Sequence, residues 1–382
     1  MFKQTLTLAL TVAASTVLAG QTSAPAKASS KETVKEESIY DRLWSYPTLY
    51  KNDDSSFLNE LRIVGRFHGD VYNVDSGLGT DSDWRVRRLR LGLKAKFFHN
   101  LDLHVETDLD PQFDNPWYSR LTDAYIAWKF CEAAKITIGK HSAKFTLDGQ
   151  TSSNELITLD RNNLTNNLWF TTEYISGVSF SGKVGGFQYT AGYFSGGTET
   201  KEFGNFDEGH FALASLGYDF AKQLGVKKAL LRADYVYNDR NAESNATRSF
   251  ENVGSLNFQF AQENWGFSTD LAVGTGYGSQ SDVWGFVVMH WYNITKQLQI
   301  VARYTYMESE DPNGIRFGRY ENVMTSGKGD EYQEIYAGLN YYLYGHKLKL
   351  QTGLTYSMME DSANDGGKYD GWTWTTGVRL SF

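Results

Sequence analysis

From Phe57 to the C-terminus the chain alternates apolar and polar side chains with a period of two. Leu61, Ile63, Gly65, Phe67 and Val71 share one side, while Glu60, Arg62, Arg66, His68 and Asp70 share the other. In the next run Leu89, Leu91, Leu93, Ala95 and Phe97 oppose Arg88, Arg90, Gly92, Lys94 and Lys96. In a third, Leu101, Leu103, Val105, Thr107 and Leu109 oppose Asp102, His104, Glu106 and Asp108. Successive side chains of a β-strand point to opposite faces, so this period predicts strands. Further runs lie near 121–130, 135–145, 176–185, 187–195, 211–220, 229–238, 250–262, 265–277, 283–294, 298–307, 331–343, 347–358 and 371–382. The total is about sixteen, an even number of the kind single-chain bacterial barrels use.

The connections alternate in length. Short ones fall at 99–100, 131–134, 185–186, 263–264 and 344–345; long polar ones at 110–120, 146–175, 196–210, 239–249, 308–330 and 361–370. Tight turns on one side and extended loops on the other predict an all-β fold, a transmembrane antiparallel β-barrel. Pro47, Pro111, Pro116 and Pro312 fall outside the strands and Pro25 lies near the N-terminus, as a residue without a ladder N–H requires. The apolar faces end in aromatics, among them Phe97, Tyr235, Tyr237, Trp265, Phe267, Tyr304, Tyr306, Tyr356, Trp372 and Trp374. Rings at strand ends fit two interfacial girdles, which puts the apolar face in lipid and the charged face around a wet lumen. The last strand closes on Phe382, the aromatic ending usual for outer-membrane barrels.

Composition removes the rivals. Aromatics are 15% with 36 Gly and only 5 Pro, a mixture that favours strands and turns. Downstream of the N-terminus no apolar run reaches the roughly 18 residues a spanning helix needs. With 37 basic against 45 acidic residues, a nucleic-acid binder is excluded. A single cysteine excludes an intrachain disulfide and a thiolate metal cluster, and Cys131 reads as a surface thiol in a periplasmic turn. Residues 1–19 read as a secretory signal, with Lys3 ahead of a short apolar stretch. Residues 20–56 are expected to form a periplasmic leader and 57–382 the barrel.

The lumen-facing charges define the candidate site. Arg62, Arg66, Arg88, Arg90, Lys94 and Lys96 form a positive wall that would lower the barrier for anions. Asp102, Glu106, Asp108 and Asp123 stand beside them, and pairing across strands is the alternative. The two are compatible, since a basic wall against an acidic one sets a transverse field. The connection at 146–175 is too long to lack a role, and folding into the lumen would supply one; a disordered external loop is the alternative. Trp84 and Tyr125 share the inward parity and could stack on sugars or pack beneath that loop. The many small and charged inward residues argue against a filled lumen. His68, His104 and His290 lack metal-ligand spacing, so no metal or cofactor is expected. Gly274–Gly278 ends a strand rather than opening a helix, which makes it a strand exit and not a phosphate loop. The segment 361–370 lacks the ligand spacing of a calcium loop and reads as solvated.

Three segments carry a family resemblance: RRLRLGLKAKFFHNLDLHVETDLD (87–110), LTDAYIAWKF (121–130) and KITIGKHSAKFTLDGQTSSNELITLDRNNLTNNLW (135–169). In this order they resemble the phosphate-selective porin O/P family. The resemblance implies a sixteen-stranded barrel, a homotrimer, and a third external loop folded inward to narrow the pore. Phosphate-selecting members carry a ladder of arginines above a lysine-lined constriction. Arg88, Arg90, Lys94 and Lys96 match the basic strand, and Lys140, Lys144 and Arg161 fall in the segment that resembles the constriction. Asp102, Glu106, Asp108, Asp123 and Asp160 stand against them, so phosphate selectivity does not follow from the resemblance.

The expected function is passive diffusion of small hydrophilic solutes and ions across the outer membrane, with anion or phosphate preference as its sharper form and no catalytic step. Outer-membrane lipid, lipopolysaccharide and further copies of the chain are the expected partners. A substrate-specific channel for phosphate or small saccharides is the first alternative. An outer-membrane phospholipase is the second; it needs a Ser and a His together on the lipid-facing rim, and the spacing around His290 gives no support.

Overall fold

Strands with one apolar face can satisfy every backbone N–H and C=O in hydrocarbon only as a closed sheet. The computed structural model describes residues 38–112, 117–169, 173–196, 202–207, 209–240 and 248–382, and such a closed sheet is what it contains. Its sixteen strands are β1 (Leu58–Ser76), β2 (Gly79–Phe97), β3 (Leu101–Leu109), β4 (Tyr118–Cys131), β5 (Ala134–Ser142), β6 (Tyr174–Val184), β7 (Phe187–Ser195) and β8 (His210–Asp219). The second half comprises β9 (Lys228–Asn238), β10 (Phe250–Ala261), β11 (Trp265–Gly276), β12 (Val283–Asn293), β13 (Leu298–Ser309), β14 (Glu331–Tyr344), β15 (Leu348–Glu360) and β16 (Tyr369–Ser381). Each pairs antiparallel with the next, and β16 pairs with β1 from Gly371 opposite Ser76 to Ser381 opposite Arg66.

The predicted strands are all present, but the first hairpin differs from expectation. β1 and β2 run 19 residues each, joined by a turn at 77–78. His68 stands opposite Arg88 and Gly69 opposite Val86, so Arg87 is an extra residue in β2. Such a bulge shifts the parity of everything beyond it. Trp84 therefore faces Val71 on the outer surface and is 59% exposed, not in the lumen where strict alternation puts it.

A short helix (Ile39–Ser45) and a short strand (Thr48–Lys51) sit where the ends of the barrel meet. β16 leaves the lower edge of β1 unpaired, and Thr48–Lys51 covers it at Glu60–Arg62. The Trp44 indole N–H donates to the Ser381 carbonyl at 2.6 Å, and the Tyr344 hydroxyl donates to Asp41 at 2.6 Å. The expected signal at 1–19 and the first part of the expected leader lie outside the described residues.

The interior is fuller than the charged faces suggest. Phe145, Leu164, Leu168 and Trp169 of the third loop pack with inward residues at the external ends of the strands, among them Phe194, Phe211, Phe250, Met307 and Tyr332. Ile315 and Phe317 of the loop after β13 join them. The expectation of an unfilled lumen is thus corrected on its external side, where a loop rich in apolar side chains needs apolar walls.

Candidate pore lining and constriction

The third loop spans 143–173 and bonds to the buried face of nine strands. Thr146 N–H donates to Asp234 of β9 at 3.1 Å and Leu147 N–H to Asp270 of β11 at 2.8 Å. The Gln150 amide donates to Asn257 of β10 at 3.2 Å. Arg303 of β13 donates to Thr158, Asn340 of β14 to the Ile157 carbonyl, and Gln351 of β15 to the Leu156 carbonyl. Arg379 of β16 donates to the Leu159 carbonyl and Arg66 of β1 to Ser153. Arg87 of β2 completes the ring, with two donors 3.1 Å from Asp160. Within the loop, Asp148 ties down Asn162 through its backbone N–H and side-chain amide, both at 2.8 Å.

Two loop carboxylates answer the arginines. Burial alone would raise Asp160, but Arg87, Arg319, Arg88 and Arg379 hold it well below the usual carboxylate range. Glu173 is driven the same way to about 2, with Arg161, Arg90, Arg88 and Arg66 overcoming its burial. Both stay charged at neutral pH.

The wall charges fall into two groups. Arg66 pairs with Glu106 at 3.2 Å, and Arg90 pairs with Asp108 at 3.1 Å and reaches Glu106 at 3.7 Å. Gly92 stands opposite Glu106, and a Cβ there would lie 2.9 Å from the Glu106 Cβ. The missing side chain is what lets Glu106 lie between the two arginines. Lys96 is 3.9 Å from Asp102 and Arg62 is 3.9 Å from Glu60. Asp123 lies 3.6 Å from His104, which is 3.8 Å from Glu106 on its other side. Pairing therefore accounts for most of the predicted ladder.

Arg88 and Lys94 are the exceptions: among the described residues neither has a carboxylate within 4.0 Å. Arg88 is buried in a row formed with His68 and Arg379, and its Nη1 stands 3.5 Å from His68 Nδ1. The Nε2 of His68 is buried without a hydrogen-bond partner. Lys94 is exposed.

The three constriction candidates separate. Arg161 is locked, stacked 4.5 Å over Trp169, paired with Glu173 at 3.3 Å and donating to the Asp148 carbonyl. Lys144 is exposed. Lys140 continues the outward parity of Ile136 and Ile138, and its ammonium donates to the Glu202 carbonyl of the fourth loop, whose carboxylate accepts from the exposed Tyr118. It does not line the cavity that Lys135, Thr137 and His141 share. Sequence reasoning missed Arg87, Arg303 and Arg379. The doublet Arg87-Arg88 in an otherwise alternating strand was the one available sign of the bulge.

The model of the family Phosphate-selective porin O and P matches residues 61–292. Among curated proteins, no sequence matches. Several solved structures share the fold. An anion-selective porin from Comamonas acidovorans aligns with a TM-score of 0.61 at 12% identity, covering 84% of this chain and 99% of that one. Salmonella typhi OmpF, solved with daunomycin, gives 0.60 at 15% identity over 88% and 100%. The outer membrane channel DcaP of Acinetobacter baumannii gives 0.56 at 13% over 87% and 100%.

Proposed function

The chain belongs to the phosphate-selective porin O and P family, and on that premise we propose that this outer-membrane channel prefers anions. Solutes cross down their gradients through the space left between the third loop and the walls, and charge at that passage sets their relative rates. The observation that carries the preference is Arg88. Each carboxylate of the acidic strand already faces a cation, so the charge left without a partner on the basic wall is positive. Lys94 and Lys144 extend it along the lumen. The third loop is the constricting element in this reading, supported by its bonds to Arg66, Arg87 and Arg379. The functional unit is a homotrimer embedded in lipid and lipopolysaccharide, as the family resemblance implies.

The test is the reversal potential of purified protein in a planar bilayer under a KCl gradient, before and after phosphate is added. A potential on the anion side that moves with phosphate is expected. A near-zero or cation-side potential would mean that the pairing neutralises the wall, leaving a general porin.

A further inference from the structure

Below the entry of the third loop lies a second polar feature, a cavity of about 300 Å3 bounded by β4 to β9. Lys135 and Lys144 line it, and among the described residues neither has a carboxylate within 4.0 Å. Arg232 is differently placed. Its Nε donates to Asp234 at 2.7 Å and its Nη2 to the Lys144 carbonyl at 3.3 Å, so it holds Lys144 in position.

Beside the lysines runs a rail of hydroxyls. Lys135 faces Ser181, Ser181 faces Thr190, and Thr190 faces Ser215, one residue on each of four neighbouring strands. Strand spacing sets these groups about 4.8 Å apart. The Ser142 hydroxyl, which lines the cavity, and the Ser215 hydroxyl, next to Thr190 at the far end of the rail, are buried and have no partner among the described residues. A buried polar group without a partner is costly, and a ligand hydroxyl would satisfy it. Asp123 adds an acceptor and Tyr125 a ring wall.

We infer that this cavity is a subsite for phosphate esters of polyhydroxylated compounds, of hexose phosphate size. The phosphate end meets Lys135 and Lys144, and the hydroxylated body runs along Ser181 and Thr190. Inorganic phosphate would use the lysines and leave the rail idle. A neutral sugar would use the rail and leave two ammonium groups uncompensated. The inference rests on the channel reading above and names its solute.

The experiment is current block in planar bilayers by glucose 6-phosphate, inorganic phosphate and glucose, each added to the periplasmic side of the full-length protein. Glucose 6-phosphate is expected to block at concentrations at least tenfold below inorganic phosphate, with glucose inert. Lys135→Gln should weaken block by both phosphates. Thr190→Val should weaken only the sugar phosphate, and Thr190→Ser should restore it. Equal block by the two phosphates, block by glucose, or an unchanged ratio in Thr190→Val would overturn the subsite while leaving the channel in place. Absence of any KCl conductance would overturn the channel reading itself, and the subsite with it.

Discussion

Replacing Arg88 by Gln removes one positive charge from the basic wall while keeping a polar side chain in the row with His68 and Arg379. The effect on permeating ions follows from Coulomb's law. A unit charge about 5 Å from an ion is worth about 1 kcal/mol in a water-like medium and about 3 kcal/mol at an effective dielectric near 20. Taking the wet value, the loss disfavours chloride and favours potassium by about 1 kcal/mol each. The permeability ratio then falls by a factor of about 30 at about 1.4 kcal/mol per decade. Mobile salt screens over about 10 Å at 0.1 M, so the measurement belongs at that concentration or below. Glu173→Gln, which removes a carboxylate facing the same arginines, should move the reversal potential the opposite way. If Arg88→Gln leaves the potential unchanged while Glu173→Gln shifts it, ions do not sense Arg88, and the unpaired arginine does not set selectivity.

Other consequences can be checked independently. The depressed Asp160 and Glu173 stabilise the loop fully above the ordinary carboxylate range and lose that contribution as pH falls through their lowered values. Open-channel noise should therefore stay flat from neutral pH down to about 4 and rise below it, whereas Asp160→Asn should be noisy at neutral pH; noise in the wild type already at pH 6 would contradict the assignment. A Cβ at Gly65 would lie 2.6 Å from the Phe382 ring, which occupies that niche. Gly65→Val should cost about 1–3 kcal/mol at the seam and lower the temperature at which the barrel unfolds in detergent gels, with Phe382→Leu relieving part of it. Cys131 is exposed at the end of β4, beside the short turn to β5, so an impermeant maleimide should label it only after the outer membrane is permeabilised. Labelling in intact cells would invert the orientation.

Alternation made the strands legible because lipid on one side and water on the other impose opposite chemistry on successive residues. Leu91 and Leu93 against Arg90 and Lys94 need no other information to be sorted, and the structure leaves both leucines about half exposed on the outside. The same rule fails wherever the ladder is not regular. At Arg87 one inserted residue turns Arg85 and Arg87 toward the third loop and Tyr320, and throws Trp84 outward. At Lys140 the parity is kept, but the fourth loop, two strands further along the chain, reaches it on the outer wall, and a charge that would be costly in lipid is satisfied by a backbone carbonyl.

The apolar interior was hidden for a related reason. Phe211 and Leu213 alternate with Ala212 and Ala214, so both faces of β8 are nonpolar and parity cannot say which one a loop will cover. Candidate charges were legible as a set, but their partners were not. Whether Arg90 conducts or merely pairs depends on Gly92 leaving room for Glu106, a contact between neighbouring strands that no single strand's pattern contains. The bulge at Arg87 is therefore more than an irregularity. It gives Asp160 a cation that regular alternation would have pointed into lipid, and that lets Arg88, the next residue, remain without a carboxylate.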